Sequence, residues 1–362
     1  MALSGCVTFS EARWQDYAGD GRCAEQQTFE DDQQSAMPIF FVTTRLPDCR
    51  SQPYQLTIQR GDRIRYGRVG AKGTSKKPTE PVFAFQAREL WLDSVAAAAR
   101  KADGKVVVYM HGYNNGFHHV AMQTEQIRHH SGFGGPVISY NWPSHASGAR
   151  YAVDQVNQIW DLPYFISELV TLSARPEISE IILVAHSMGT RSGLAALAGM
   201  DSKHPAAAAK LKNIILVSGD ADRQIFEREA RDHLLTQDKV AAGRRITLFV
   251  SDEDNAVRAS RFLHGYDRLG YTGCVDPLAT PPCYARPERD GRPIDGLRIV
   301  DTSAVSQDFA GHKDFIDSPI GRQFFCEVLL TDMRAAPTVY SITVATPNNA
   351  PAACADSDMV EL

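Results

Sequence analysis

The feature of this sequence that most restricts its fold is a repeated alternation between short, continuous apolar runs and longer segments with a helical pattern. The apolar runs span residues 105–110, 136–142, 180–186, 213–218, 245–251 and 297–301. The helical segments between them span residues 117–130, 149–173, 188–200, 222–236 and 254–264. Apolar runs of this kind are typical of parallel strands that are buried on both faces. The alternation therefore predicts an α/β fold with one mostly parallel central sheet and helices on both faces.

Further segments are expected to extend this domain at both ends. Residues 37–44 form a β-rich run, and polar and apolar residues alternate over 62–69, which is typical of an edge strand. Helices are predicted over 89–100 and near 313–332. We therefore expect the α/β domain to span residues 37–334.

Three segments do not share the alternation. Residues 1–36 are polar and acidic, and we expect them to form an extended arm or tether. Residues 265–296 contain five prolines and two cysteines and are predicted to be an insertion within the domain. Residues 335–362 are rich in Ala, Pro and Asn and are predicted to be a C-terminal tail.

Composition and charge exclude several classes of protein. Hydrophobic residues are 43% and charged residues 22% of the 362 residues, which is typical of a globular chain rather than a disordered one. The formal net charge is −5, so no overall basic field favours nucleic acid as a partner. No apolar run approaches the roughly 18 residues of a transmembrane helix.

The first residues raise the question of membrane attachment. Residues 3–6, Leu-Ser-Gly-Cys, resemble a bacterial lipobox, in which the cysteine becomes the acylated N-terminus. No basic or apolar signal-peptide region precedes Cys6, so either that region was removed and Met1 added, or the match is chance. With an acylated Cys6, we expect a protein attached to the membrane of a bacterial cell envelope, and the alternative is a cytoplasmic protein.

The number of cysteines is consistent with a protein of the bacterial cell envelope. The chain has seven cysteines, and setting Cys6 apart leaves six, enough for three disulfides in an oxidising compartment. The expected pairs are Cys274–Cys283, which flanks a Pro-Pro turn, and the local pairs Cys23–Cys49 and Cys326–Cys354. The alternative is a set of free, partly buried thiols. No two cysteines have CxxC spacing, so a structural zinc site is not expected.

A serine nucleophile is predicted at the end of one apolar run. Residues 185–189 read Ala-His-Ser-Met-Gly and join a strand directly to a helix. Small residues on both sides of Ser187 permit a sharp turn that exposes the hydroxyl, with the helix N-terminus directed at the site. Ala185 stands where the pattern prefers Gly. A phosphate-binding turn is the alternative, but no Gly-rich phosphate loop follows a strand.

Backbone donors for an oxyanion are predicted beside this serine. Residues 111–114, His-Gly-Tyr-Asn, follow the run 105–110 at the same edge of the sheet. We expect the N–H groups of Tyr113 and Met188 to form an oxyanion hole, a role in which each donor contributes about 3–4 kcal/mol. The His111 side chain is expected only to bond the backbone.

The general base is expected to be His312, which lies after the last strand and before the closing helix. His111 and His186 precede turns at the sheet edge and are expected to orient them. Four of the eleven histidines share one predicted helix: His118, His119, His129 and His130. No acidic residues stand near them at ligand spacing, so no metal site is predicted.

The acid that orients the imidazole is expected to be Asp254, which follows an apolar run and opens a helix. The alternatives are Asp252, Glu253, Asp220 and Asp222. An aspartate at a helix start is also a common N-cap, and Asp222 fits that role well.

These stretches together resemble the α/β-hydrolase superfamily and, more narrowly, the bacterial alpha/beta hydrolases called DUF900. The matching segments are residues 40–45, 108–115, 139–144, 185–189, 251–257 and 311–312. The resemblance implies a triad of Ser187, Asp254 and His312 and an esterase-like activity.

We therefore expect ester hydrolysis through an acyl-enzyme intermediate, without a metal or an organic cofactor. The substrate is expected to be a small-molecule or lipid ester bound in an open cleft, with Trp142 and Asn114 among its contacts. The alternatives are a lipase, thioesterase or amidase on the same scaffold, or a non-catalytic binding protein of the envelope.

Overall fold

A computed structural model describes residues 39–48, 55–70, 82–271, 294–303, 311–317, 319–330 and 339–341. The predicted arm at 1–36 lies outside the described residues, as do 272–293 of the insertion and most of the tail. Cys326 is the one cysteine within the described ranges, so none of the three expected disulfides falls wholly inside them.

Ten strands of the described residues form one sheet. They are β1 (Ile39–Asp48), β2 (Gln55–Gly70), β3 (Val82–Gln86), β4 (Lys105–Met110), β5 (Val137–Asn141), β6 (Glu180–His186), β7 (Leu211–Val217), β8 (Arg245–Val250), β9 (Leu297–Asp301) and β10 (Val339–Ser341). Their order across the sheet is β10-β9-β8-β7-β6-β4-β5-β1-β2-β3. From β10 to β1 every neighbouring pair is parallel, and β2 runs antiparallel to both β1 and β3. The predicted mostly parallel sheet is confirmed.

Helices connect these strands. They are α1 (Arg88–Arg100), α2 (Phe117–Ser131), α3 (Tyr151–Ser173), α4 (Gly189–Lys203), α5 (Pro205–Ala208), α6 (Arg223–Glu229), α7 (Gln237–Ala241), α8 (Asn255–His264), α9 (Asp314–Asp317) and α10 (Pro319–Leu330). A 3₁₀ turn precedes α3 at Gly148–Arg150, and a π-helical turn follows α6 at Ala230–Leu234. None of the described helices is long and apolar enough to cross a membrane.

Alternate residues of the central strands bury against opposite layers of helices. In β4, Val106 and Val108 belong to one apolar core with residues of α1, α3 and α4, whereas Val107 and Tyr109 belong to another with residues of α2, α9 and α10. Because both faces are covered, the central part of these strands is apolar on both sides. The predicted helices on both faces are confirmed.

Two features of the sheet differ from the prediction. The run 62–69 was expected at an edge, but β2 lies between β1 and β3, and β3 is the outer strand. β3 pairs with only Tyr66–Gly70, so the polar residues before Tyr66 have no described strand beside them on that side, and the edge prediction fails only for the last part of the run. A short strand, β10, also lies within the segment predicted as tail and extends the sheet beside β9.

The order of the strands places a crevice at the carboxyl end of β4. From β4 the chain moves to β5 on one side and then crosses back to β6 on the other. In an open parallel sheet, such a reversal leaves a gap between the connections that follow the two strands, and ligands bind there. The loops after β4 and β6 contain residues 111–114 and 187–188, which the sequence predicts to be functional.

Helix α3 buries polar residues against the sheet. Those with little exposure are Asp154, Asn157, Gln158, Asp161 and Glu168. Asp161 accepts a hydrogen bond from the Thr44 hydroxyl, and Glu168 accepts one from Tyr66 at 2.8 Å. Burial raises the pKa of each carboxyl to about 7, although these hydrogen bonds act in the opposite direction.

We expect these two carboxyls to make folding stability fall as the pH rises from about 4 to about 8. Both hold a proton in the folded state at pH values where the unfolded chain, with ordinary carboxyl pKa values near ~4, has lost it. The double variant Asp161→Asn/Glu168→Gln should therefore lose less stability over this range than the wild type, by at most roughly 8 kcal/mol, because each folded pKa lies about 3 units above the ordinary value and each unit corresponds to about 1.4 kcal/mol. Urea unfolding followed by circular dichroism at several pH values measures the difference.

The quantity compared between the two proteins is the change in the free energy of unfolding with pH, and not its value at one pH. Other groups titrate in both proteins and cancel in the difference between the two curves. Parallel curves for wild type and double variant would show that the two buried carboxyls have ordinary pKa values.

Candidate active site

A cleft of about 420 Å³ opens at the carboxyl edge of the sheet, where the loops after β4, β6, β7 and β8 meet. Its walls include Ser187, His312, Tyr113 and Asn114, which are four of the residues that the sequence predicts for the site. These residues are far apart in the chain, and the parallel strands bring them to one end of the molecule.

Ser187 occupies the turn between β6 and α4 in a backbone conformation unusual for a side chain with a Cβ. Its φ is 55°, in the left-handed region. The turn is held from both directions: the Ser187 N–H donates to Val217 O at 2.9 Å, and the Ser187 carbonyl accepts N–H bonds from Thr190 and Asp220, each at 3.1 Å. The sharp turn predicted from the small neighbours is therefore present.

Two glycines permit this turn because backbone lies against them. A Cβ at Gly189 would lie 2.6 Å from the His111 carbonyl oxygen, closer than real Cβ atoms approach. A Cβ at Gly112 would lie 2.7 Å from the Cβ of Ser187. The loop after β4 therefore packs directly on the serine turn. Ala185 fits in place of the preferred Gly because Gly193 faces it, where an added Cβ would lie 3.1 Å away.

His312 is bonded to a buried carboxylate. Its Nδ1 lies 2.9 Å from both carboxylate oxygens of Asp254, and Asp254 is fully buried. One of those oxygens also accepts the Val257 N–H at 2.9 Å, so Asp254 is the N-cap of α8 as well. Burial lowers the pKa of His312, but the charge and hydrogen bond of Asp254 outweigh it, and the net effect raises the pKa above its ordinary value.

The other predicted acids lie elsewhere. Asp252 and Glu253 are exposed, and Asp222 is the N-cap of α6, where it accepts the Ile225 N–H at 3.0 Å. Asp220 lines the cleft but is bonded to groups other than His312, described below. Asp254 is therefore the one of the five candidates whose carboxylate meets His312.

His186 positions the backbone of His312. Its Nε2 donates to the His312 carbonyl at 2.9 Å, and the two imidazole rings lie 4.7 Å apart. Burial, and next the charge of His312, hold the pKa of His186 well below its ordinary value, so this ring is neutral. The sequence predicts that His186 orients its turn. The structure adds that it also holds the segment that presents the other histidine.

The two segments that carry the predicted oxyanion donors both adjoin Ser187. Met188 is the N-cap of α4, and a helix leaves its first four N–H groups without intrahelical acceptors. Tyr113 follows Gly112, whose backbone contacts the serine. Its hydroxyl donates to the Gly148 carbonyl, and its ring packs edge-on against Tyr151 at 5.2 Å.

Trp142 does not contact the cleft, contrary to the prediction. It is fully buried, its ring stacks on His111 at 4.9 Å, and its Nε1 donates to the His111 carbonyl at 2.9 Å. It therefore supports the loop after β4 from beneath. Asn114, the other predicted substrate contact, is exposed and lines the cleft.

His111 bonds the backbone, as predicted. Its Nδ1 lies 2.8 Å from the Gly112 carbonyl. Burial, followed by the nearby charge of Arg45, lowers the pKa of His111 to about 3. The ring is therefore neutral at ordinary pH, so His111 is a structural element of the loop.

A buried ionic network that the sequence motifs did not reveal supports the same loop. Arg45 and Asp154 are both fully buried. Arg45 donates to the carbonyls of Asn115 at 2.8 Å and Ser144 at 3.0 Å. Asp154 accepts the Ser144 hydroxyl at 2.6 Å and the His145 N–H at 2.9 Å. The sequence does place Asp154 on the inward face of a predicted helix, which could have indicated a buried carboxylate. Its partners could not be identified, because they are distant in the sequence.

A second missed group forms the floor of the cleft. Asp220 accepts the Tyr151 hydroxyl at 2.5 Å, the Arg191 guanidinium at 3.0 Å and the Ser260 hydroxyl. Its N–H also donates to the Ser187 carbonyl. Asp220 therefore stabilises the serine turn with its backbone, while its side chain is satisfied by neighbours.

No cluster of three or more metal-ligating side chains is found in the parts of the chain that the structure describes.

Comparison with known proteins identifies one family. The family model described as an alpha/beta hydrolase of unknown function (DUF900) matches residues 87–324, which is more than half of the chain. No curated protein matches the chain.

Two solved structures show weak similarity. A protein described as a hydrolase from Agrobacterium vitis S4 is 12% identical, with 61% of this chain and 85% of that chain covered and a TM-score of 0.30. A lipase-esterase related protein from Clostridium acetobutylicum ATCC 824 is 11% identical, with 47% and 85% covered and a TM-score of 0.24. At these values, neither structure contributes to the assignment of the site.

The contact between His312 and Asp254 predicts a measurable titration. We expect His312 to titrate above the ordinary histidine value of about 6.5. In Asp254→Asn the carboxylate charge is gone and burial remains, so the pKa of His312 should fall below that value. Histidine-resolved NMR titration, with His312→Gln to assign the signal, measures both.

Asp222→Asn is the matched control, because Asp222 also caps a helix through a backbone N–H but is not bonded to His312. It should leave the His312 titration unchanged. An equal shift in both variants would mean that helix stability, and not the direct contact, sets the pKa.

Proposed function

Because the chain belongs to the alpha/beta hydrolase family DUF900, we propose that it is a serine hydrolase that cleaves carboxylic esters through an acyl-enzyme intermediate. Its proposed catalytic side chains are Ser187, His312 and Asp254. The observation that carries the proposal is that a strained, cleft-lining serine shares its cleft with a histidine whose Nδ1 is bonded to a buried carboxylate.

The bond to Asp254 determines which nitrogen of His312 can act. With Nδ1 donating to the carboxylate, the neutral imidazole has its free lone pair on Nε2. In the proposed first step, Nε2 takes the proton of the Ser187 hydroxyl as Oγ bonds to the ester carbonyl carbon. Asp254 holds the tautomer and stabilises the imidazolium that forms.

The negative charge that develops on the carbonyl oxygen is stabilised by the N–H groups of Tyr113 and Met188. Support for this assignment comes from the contact of Gly112 with the serine and from the position of Met188 at a helix N-terminus. Backbone donors in such positions need no rearrangement during the reaction, which is why they stabilise a transition state effectively.

The intermediate then collapses in two stages. The bond to the alcohol oxygen breaks, and that oxygen takes the proton from His312, leaving an acyl group on Ser187. Water, deprotonated by His312, next attacks the acyl carbon. The bond to Oγ breaks, Oγ recovers the proton, and the carboxylic acid leaves. Amide, thioester and lipid hydrolysis would use the same groups, so a panel of leaving groups and acyl chain lengths separates these alternatives.

We expect Ser187→Ala to abolish both labelling by a fluorophosphonate probe and hydrolysis of p-nitrophenyl acetate. Loss of the nucleophile in enzymes of this type reduces turnover on the order of 10⁴-fold or more. Labelling is read by mass spectrometry and hydrolysis by release of p-nitrophenolate.

Ser218→Ala is the matched control. Ser218 directly follows the neighbouring strand β7, is buried and also has a positive φ, of 48°. It should keep both labelling and hydrolysis, so a loss in Ser187→Ala alone reflects the hydroxyl and not the strained turn. A wild-type protein that neither labels nor hydrolyses any ester would instead be a non-catalytic binding protein on this fold.

Attachment to a membrane through Cys6 remains a prediction from the sequence, because Cys6 lies outside the described residues. We expect acylation at Cys6 when the full-length precursor is expressed in a bacterium, read as the mass of the N-terminal peptide. Cys6→Ser should prevent it. A wild-type product without added lipid would exclude the lipoprotein and leave a cytoplasmic or unanchored protein.

A further inference from the structure

One positively charged side chain in the cleft has no part in the proposed reaction. Lys313 directly follows His312 and lines the cleft. Its backbone is fixed, because its carbonyl accepts the Ile316 N–H at 2.9 Å, and Phe315 and Ile316 are buried in the core. The ammonium group therefore projects from a rigid segment beside the base.

Among the residues that the structure describes, this ammonium has no carboxylate partner. Its contact within the described residues is His119 Nε2 at 3.4 Å, and no carboxylate of those residues lies within ion-pair distance. Burial and the charge of Lys313 lower the pKa of His119, so this neighbour is a neutral acceptor. Asp220, the carboxylate among the described cleft residues, is already paired with Arg191 at 3.0 Å. Lys313 is therefore the one lysine or arginine among the described residues that line the cleft, and it is not ion-paired, whereas the nearby buried carboxylate of Asp254 is bonded to His312.

The proposed mechanism determines which part of a substrate reaches this end. His312 must give its proton to the departing alcohol oxygen, so the alcohol portion of the ester begins at His312 Nε2. The charge of Lys313 also opposes protonation of His312, which the reaction requires. An anion seated on Lys313 would offset that repulsion while the imidazolium forms.

We propose, on the basis of the proposed esterase function, that Lys313 is a specificity-determining residue for esters whose alcohol portion bears a carboxylate or a phosphate. The ammonium binds that anion, and His119 holds the ammonium toward the cleft. The neutral wall on the α8 side, which includes Ala256, Ala259 and Leu263, is left for the acyl group.

The test compares esters that differ only in this charge. 4-Acetoxybenzoate and its 3-isomer carry a carboxylate on the alcohol portion, and the corresponding acetoxybenzamides are neutral and of similar shape. The quantity measured is the ratio of kcat/KM for the anionic over the neutral ester. In Lys313→Met, which removes the charge and keeps the length, this ratio should fall about tenfold. In the wild type it should also fall with added salt.

Lys101→Met is the matched control, because Lys101 is exposed at the end of α1, before β4, and so lies at the opposite edge of the sheet. It removes the same charge and should leave the ratio unchanged. 4-Acetoxyphenyl phosphate carries a phosphate in place of the carboxylate. The anion for which Lys313→Met lowers kcat/KM more, relative to the neutral ester, is the one that the subsite prefers.

Each other outcome is decisive. An unchanged ratio in Lys313→Met, or an equal fall in Lys101→Met, overturns the subsite. p-Nitrophenyl hemisuccinate carries its carboxylate on the acyl portion, and p-nitrophenyl butyrate is its neutral counterpart. If Lys313→Met lowers the preference for the hemisuccinate but not the preference for the acetoxybenzoates, the anion lies on the acyl side, and the proposed subsite is overturned. Failure of the proposed function is distinguishable from these, because then the wild type hydrolyses none of the esters faster than Ser187→Ala does.

Discussion

The left-handed backbone at Ser187 is the constraint on which the rest of the site depends. A residue with a Cβ in this region costs about 1–3 kcal/mol and persists only where the surroundings enforce it. Here the surroundings that enforce it are β7 and the loop after it: the Val217 carbonyl accepts the Ser187 N–H, and the Asp220 N–H donates to the Ser187 carbonyl. The loop after β4 closes the third side, where Gly112 has no room for a Cβ. The parallel sheet therefore stabilises the strained turn, and this turn exposes the Ser187 hydroxyl to the cleft.

The loop that faces Ser187 is supported by charges that the fold buries completely. A buried guanidinium or carboxylate is costly unless its hydrogen-bonding capacity is largely met. Arg45 reaches this state by binding carbonyls of two different loops, and Asp154 by binding the hydroxyl and N–H groups of one of them. These bonds join β1, α3 and the segments after β4 and β5 into one unit. Weakening either charge would therefore move the proposed oxyanion donors without touching the nucleophile.

The sequence predicts the centre of this molecule better than its margins, for a physical reason. Strands covered on both faces are mostly apolar, so β4, β6 and β9 are recognised with their observed bounds. β3 is a five-residue outer strand with no such requirement, and β2 was therefore assigned to the edge. Trp142 was placed at the right end of the right strand, but the direction of its side chain depends on stacking with His111, 31 positions away. Arg45 and Asp154 escaped notice because their partners lie on segments distant in the chain.

The two histidines at the bottom of the cleft show how local environment separates chemical roles. His186 and His312 have rings 4.7 Å apart, and burial lowers the pKa of both. Of the two, only His312 has a carboxylate at 2.9 Å, and Asp254 makes the largest contribution to raising its pKa above the ordinary value. His186 stays neutral, and its N–H holds the backbone of its neighbour. Chain order identifies a candidate base among the eleven histidines of this sequence. The position of one buried carboxylate supplies the physical reason why that histidine, and not the adjacent one, is suited to accept a proton.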